Sequence, residues 1–270
     1  MSNNKQAASG NSGALFAVLV IILSLVACIA IFAFVLGNSS NFQGGNNENH
    51  PLPGNYLGIV YKGGFIVPVL MAIFVVIVAF SIERGLTLSK AKGKGAINQF
   101  LFKLQNLISN NKIEEAIHEC DKQQGSLANV MKAGLSRYNA LAHDTEMDKE
   151  QKEIAMQKEL EEATALELPM LSKNLVIIST CASIATLVGL IGTVLGMIKA
   201  FSALATAGAP DAVALANGIS EALINTALGI TGSTVAIIMY NYFTTQIDGL
   251  TYKIDESGFS LVNTFKSKVK

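Results

Sequence analysis

"GLIGTVLGMIKAF", residues 189 to 201, sets Thr193 in the middle of an apolar run with Gly189, Gly192 and Gly196 around it. A run this apolar that gives up side-chain volume to glycine lets another backbone come close, and the one retained hydroxyl stays available for hydrogen bonding. The run overlaps a longer apolar segment, Asn174 to Ile198, and three further segments match it: 14 to 36, Gly64 to Ile82, and Ala212 to Ile247. Residues 14 to 36 contain no charge over 23 positions, enough to cross about 30 Å of hydrocarbon at ~1.5 Å per residue. That run is too long for the apolar core of a signal peptide and is read as a retained span.

The whole chain agrees with this reading. Of 270 residues 50% are hydrophobic and only 15% are charged, so an all-α integral membrane protein with four transmembrane helices is expected. Formal net charge is zero, which gives no reason to expect a nucleic-acid partner. Cys28, Cys120 and Cys181 are odd in number and widely spaced, fitting neither a disulfide framework nor a metal site. His118, Glu119 and Cys120 are adjacent and diverge on a helix, and no nucleophile and base stand together, so the chain is not read as an enzyme and no cofactor is expected.

Residues 84 to 173 hold 13 of the 20 Lys and Arg, many near the spans, including Arg84, Lys90, Lys92, Lys94 and Lys173. The positive-inside rule puts this segment in the cytoplasm and, with four spans, both termini as well. The expected order is a cytoplasmic N-terminus 1–13, an N-terminal span 14–36, a periplasmic loop 37–63, a span 64–83, and a cytoplasmic helical domain 84–173. A span 174–205, a periplasmic turn 206–212, a span 213–247 and a cytoplasmic helix 248–270 follow. The loop's "GNSSNFQGGNNENHPLPGNY", residues 37 to 56, reads as flexible. In the helical domain, Asn111 with Glu114 has capping-box spacing, and Pro169 should kink a charged helix or end it.

The last two spans carry the chemistry. Thr180, Thr186 and Thr193 lie near one stripe of the first, while Asn217, Gly218, Glu221, Asn225, Thr226, Gly229 and Gly232 lie on the second. Taking the connecting turn as centred near residue 209, Thr193 lies 16 residues before it and Thr226 17 after, so antiparallel helices hold them level. Each hydroxyl can alternatively bond its own preceding turn. Glu221, ten residues past Asp211 and about 15 Å along the helix, is a functional candidate because an ionisable group in the bilayer costs roughly 2.5–3.5 kcal/mol. The bland alternative is a neutral acid bonded to Asn217 or Asn225. Threonines can relay a proton but not store it, so a carboxylate must do so, from this chain or another.

These residues resemble the MotA/TolQ/ExbB proton channel family. "LVGLIGTVLGMIKAF" (187–201) is similar to its signature on the first of the two spans, and "LANGISEALINTALGITGSTVAIIMYNYF" (215–243) to that on the second. "GSLANVMKAGL" (125–135) and "SIERG" (81–85) resemble further family segments. The likeness is greatest to the ExbB and TolQ branch. It implies a bacterial inner-membrane proton-channel subunit, in this branch a homopentamer around single-span ExbD- or TolR-like helices whose membrane aspartate carries the proton. Motion is then passed to a TonB-like protein for outer-membrane transport, or to envelope maintenance. By match of motif, Thr193, Thr226 and Glu221 take the proton pathway. Thr186, Gly189, Gly192, Gly196, Asn225 and Gly229 are expected to line the pore or face the partner, the glycines letting helices close around it. ExbB and TolQ have three spans, so the helix at 14–36 is an addition; MotA proteins have four, with prolines in or near the last two, whereas here neither Asn174 to Ile198 nor Ala212 to Ile247 contains one. A non-conducting scaffold, in which the glycines only pack helices, is the rival reading.

Overall fold

The computed structural model describes residues 3–142, 146–205 and 211–268, with side chains from Leu15 onward except Phe16. Of the expected outward turn 206–212, residues 206–210 lie outside the described residues. Among the described residues the chain is helical with no strand beyond a single bridge between Phe42 and Pro51. Its elements are α1 (Asn3–Ile31), α2 (Tyr56–Tyr61), α3 (Val67–Ala91), α4 (Ile97–Ser109), α5 (Ile113–Gln123), α6 (Gly125–Ala142), α7 (Lys149–Ser172), α8 (Leu175–Ala205) and α9 (Ala212–Lys268). Four helical stretches are long and apolar enough to cross a membrane: Ala17–Leu36, Gly64–Ala91, the run ending in α8, and α9. The protein is thus an all-α membrane protein.

The chain divides into two compact units, Met1–Ser81 with Val176–Tyr240, and Ile82–Leu175 with Asn241–Lys270. In the first, the apolar helices turn large side chains outward, as lipid-facing helices do: Leu187, Leu190, Ile191, Val194 and Ile198 are all exposed. Its 37–63 loop carries short helical turns and side-chain hydrogen bonds that its composition does not announce. Asn41 is buried and donates to the carbonyls of Leu36 (3.0 Å) and Val35 (2.8 Å), capping the end of the first span, while Tyr61 stacks on Phe32 at 4.7 Å. Hydrogen bonds made at a distance, invisible to composition, fix a segment rich in Gly and Asn.

The second unit is built on an apolar helical core with charged outer faces. Phe100, Leu104, Met131, Leu135, Tyr138, Met156 and Leu261 are buried, and Tyr138 meets Phe265 edge-on at 4.9 Å. The capping box expected from Asn111 is absent: Asn111 has φ 58°, Lys112 precedes α5, and no side chain caps it. A true capping box forms on α7, between Asp148 and Gln151. Pro169 sits in the last turn of α7, which ends three residues later at Ser172; Asn174 then takes φ 64°, a left-handed turn that Asn tolerates. Buried Arg84, paired with Glu83, points its guanidinium at the Met170 and Leu171 carbonyls of that terminus.

Candidate functional site

Antiparallel α8 and α9 meet along their glycines. A Cβ on Gly196 would stand 2.7 Å from the Ala222 nitrogen and 2.8 Å from the Gly218 carbonyl; one on Gly189 would stand 2.9 Å from the Asn225 carbonyl and 3.1 Å from Gly229 Cα. Backbone thus lies on backbone, which a side chain of any size would prevent. The partner that these glycines admit is the chain's own α9. Of the residues expected to line a pore or face a partner, Gly189, Gly192, Gly196, Asn225 and Gly229 are buried in this packing, and Thr186 is exposed. The expectation that the glycines close around a separate helix therefore meets an intrachain use first, because their bare faces point at α9.

The seam brings the two threonines together. Thr193 Oγ1 and Thr226 Oγ1 are hydrogen-bonded to each other, and the bland alternative is realised as well. Thr193 can donate to the Gly189 carbonyl (3.2 Å) and Thr226 to that of Ala222 (3.2 Å). Each hydroxyl carries one proton, so the pair has two orders of donation. Thr193 gives to Thr226 and Thr226 to Ala222, or Thr226 gives to Thr193 and Thr193 to Gly189. Switching between them passes hydrogen-bond polarity along the seam without leaving a charge behind. Both residues are half-buried, so the pair borders the open side of the seam.

Five to six residues nearer the 206–211 connection, about 8 Å along the helices, lies Glu221. Its bond to Asn217 or Asn225 does not form. Lys199 Nζ contacts both carboxylate oxygens instead, at 2.7 and 2.8 Å. Glu221 is 8% exposed, whereas the Lys199 side chain is 53% exposed and lies 6.0 Å from the Phe65 ring centroid. Gly64, at φ 76°, covers the carboxylate so closely that a Cβ there would be 2.5 Å from Oε1. Asn225 is fully buried and donates to the Gly63 carbonyl at 2.9 Å, while its Oδ1 has no partner.

Lys199, Gly63 and Gly64 escaped the reading of the sequence. Lys199 looked like the end of an apolar run, yet the depth argument that pairs the threonines finds it. It lies 10 residues before position 209, and Glu221 lies 12 after. His118, Glu119 and Cys120 diverge as expected: Glu119 binds Lys103 (2.6 Å) and Lys122 (2.7 Å), while Cys120 turns into the core.

The profile of the MotA/TolQ/ExbB proton channel family matches residues 122–256, half of the chain, and contains the whole glycine seam with both threonines and Glu221. The chain belongs to the MotA/TolQ/ExbB proton channel family. Its similarity extends to individual members. It is 36% identical over 86 residues to the putative biopolymer transport protein ExbB-like 3 of Synechocystis sp., covering 31% of this chain and 41% of that one. It is 27% identical over 164 residues to ExbB of Pseudomonas putida, covering 60% and 49%. To the Tol-Pal system protein TolQ of Pseudomonas aeruginosa it is 31% identical over 121 residues, covering 45% and 52%. The chain thus spans about half the length of the curated relatives it matches.

Proposed function

We propose that this family member is an ExbB-like subunit of an inner-membrane motor that uses the proton motive force to energise TonB-dependent transport across the outer membrane. The observation that carries the reading is the Thr193–Thr226 hydroxyl pair, a reversible proton relay on the two helices that the family profile matches. The relay stores no charge, so a membrane aspartate on a single-span ExbD- or TolR-like partner supplies the proton-carrying group. The subunit works as a homo-oligomer, a pentamer, which encloses that partner, and passes its motion to a TonB-like protein. The open side of the seam, with exposed Thr186 and the half-buried threonines, faces the enclosed helix. The segment 84–173, which holds 13 of the 20 Lys and Arg, many of them near the spans, lies with both termini in the cytoplasm of a bacterium. The function is channel and motor work, without catalysis.

A TolQ-like role in envelope maintenance is the second reading, favoured by the similarity to TolQ at an identity comparable with that to ExbB. A MotA-like stator role draws on the fourth apolar helix alone.

Thr193→Ala and Thr226→Ala, placed at the native locus, test the proposal. Loss of energised activity by about a hundredfold is expected, the lower edge for removing a positioned proton-transfer group, with assembly intact and recovery in Thr193→Ser. Full activity of assembled Thr193→Ala would leave the scaffold reading in its place. Copurification of the complex from native membranes, with mass spectrometry of its components and copy number, checks the partner and the pentamer.

A further inference from the structure

The ion pair between Lys199 and Glu221 lies on the same seam as the hydroxyls but nearer the 206–211 end, so a proton moving along the seam from that end meets it before the threonines. Both carboxylate oxygens are engaged by one ammonium, and Gly64 covers them from the α3 side. The ammonium seated across both oxygens repels a cation approaching the carboxylate. Among the described residues, Lys199 is the one ionisable group within ion-pair distance of Glu221. The two partners are unequally exposed: Glu221 is anchored in the seam, whereas Lys199 reaches it along an exposed side chain that could swing away without unpacking a helix.

We propose that Lys199 is the gate residue of the proton path: paired, it closes Glu221 to protons, and displaced, it leaves a buried carboxylate that accepts them and passes them to the Thr193–Thr226 relay. This rests on the channel reading above. A salt bridge that only braced two helices would make the opposite prediction, because its removal would loosen the seam and lower activity. Removal of a gate increases flow.

The test is proton entry after an external acid pulse, read by a cytoplasmic pH-sensitive fluorescent protein in cells of the native host carrying each variant at the native locus. Lys199→Met is expected to raise entry several-fold over the native chain at equal assembly. Lys199→Arg, which keeps the charge, should restore tight membranes. Adding Thr193→Ala to Lys199→Met should abolish the excess, because the leak runs through the relay. Unchanged or lowered entry in assembled Lys199→Met overturns the gate, as does a leak that survives Thr193→Ala. If Lys199→Met does not assemble, Lys199→Gln, which keeps a hydrogen-bonding side chain without the charge, decides: excess entry that Thr193→Ala abolishes supports the gate, and entry equal to that of the native chain overturns it. A native complex whose energised activity ignores Thr193→Ala removes the channel reading itself, and the gate with it. Thr193-dependent activity without a Lys199→Met leak removes the gate alone.

Discussion

The two compact units bury opposite things. In the second, Phe265, Met156, Leu135 and Leu261 are inside and the Lys and Glu side chains of α5 and α7 are largely outside, the arrangement that water enforces. In the first, the α8–α9 seam buries glycines, alanines, Asn225 and Glu221, and most large apolar side chains of the two helices, Leu187, Leu190, Ile191, Ile198, Leu223 and Ile230 among them, point away. Lipid gives those apolar side chains no reason to hide, so close helix contact there depends on backbone approach and polar pairing. A seam held by small residues can retain hydroxyls and an ion pair that a leucine core would squeeze out. The unit that holds the proposed proton path is therefore the one whose packing is made of the smallest residues.

One methyl group separates the two kinds of packing. Gly196→Ala would press its Cβ onto the Ala222 nitrogen and Cα, at 2.7 and 3.0 Å, and onto the Gly218 carbonyl, at 2.8 Å; all are backbone atoms that move only if the helices part. Gly134→Ala in the second unit meets Leu160 Cδ2 at 2.5 Å and Leu261 Cδ2 at 3.0 Å, the flexible ends of side chains that can rotate. Gly196→Ala should separate the threonines, abolish energised activity and lower the yield of assembled complex, whereas Gly134→Ala costs about 1–3 kcal/mol and leaves activity per complex unchanged. Thermal stability in detergent alongside cellular activity checks both. Equal effects would remove the contrast between the units.

Next in size is Met156→Ala, which deletes a fully buried side chain from the second unit. A loss of about 2–5 kcal/mol is expected, seen as earlier thermal unfolding, with proton-driven activity of the surviving assemblies intact. A selective loss of conduction in stable Met156→Ala protein would instead tie the second unit to the path.

How far the sequence shows these differences depends on what the residues answer to. Apolar runs answer to lipid directly, so four long helices were legible, and the level placement of Thr193 and Thr226 followed from counting residues on either side of the turn. Glycine spacing on α8 showed that some backbone comes close, but not whose; α9 of the same chain takes that place. Lys199 was hidden by its position at the edge of an apolar run, where a lysine commonly only anchors a span at the interface. Asn111 had the right residue type and spacing for a cap, yet its φ of 58° turns it out of the capping position. Asn41 of the 37–63 segment reaches the carbonyls at the end of the first span, a relation between groups that local composition does not encode.

The smallest expected effect uses Cys120 as a reporter of the water-facing core. Burial is the main cause pushing its thiol up from the ordinary range to about 12, with Asp121 adding in the same direction. The thiolate is the reactive form, so iodoacetamide at pH 8 should leave Cys120 unmodified in the native protein and label it rapidly after denaturation, with modified peptides read by mass spectrometry. The sign of the linkage follows from the raised value. Below the unfolded thiol's pKa, near 8.5, both states are protonated and the contribution is complete; as pH rises from there toward 12 the unfolded chain ionises first and stability is lost. Cys120→Ser should flatten that part of the alkaline profile without touching proton-driven activity. Labelling of native Cys120 at pH 8 would show that the second unit opens to solvent, and that its apolar core is no more closed than the small-residue seam of the first.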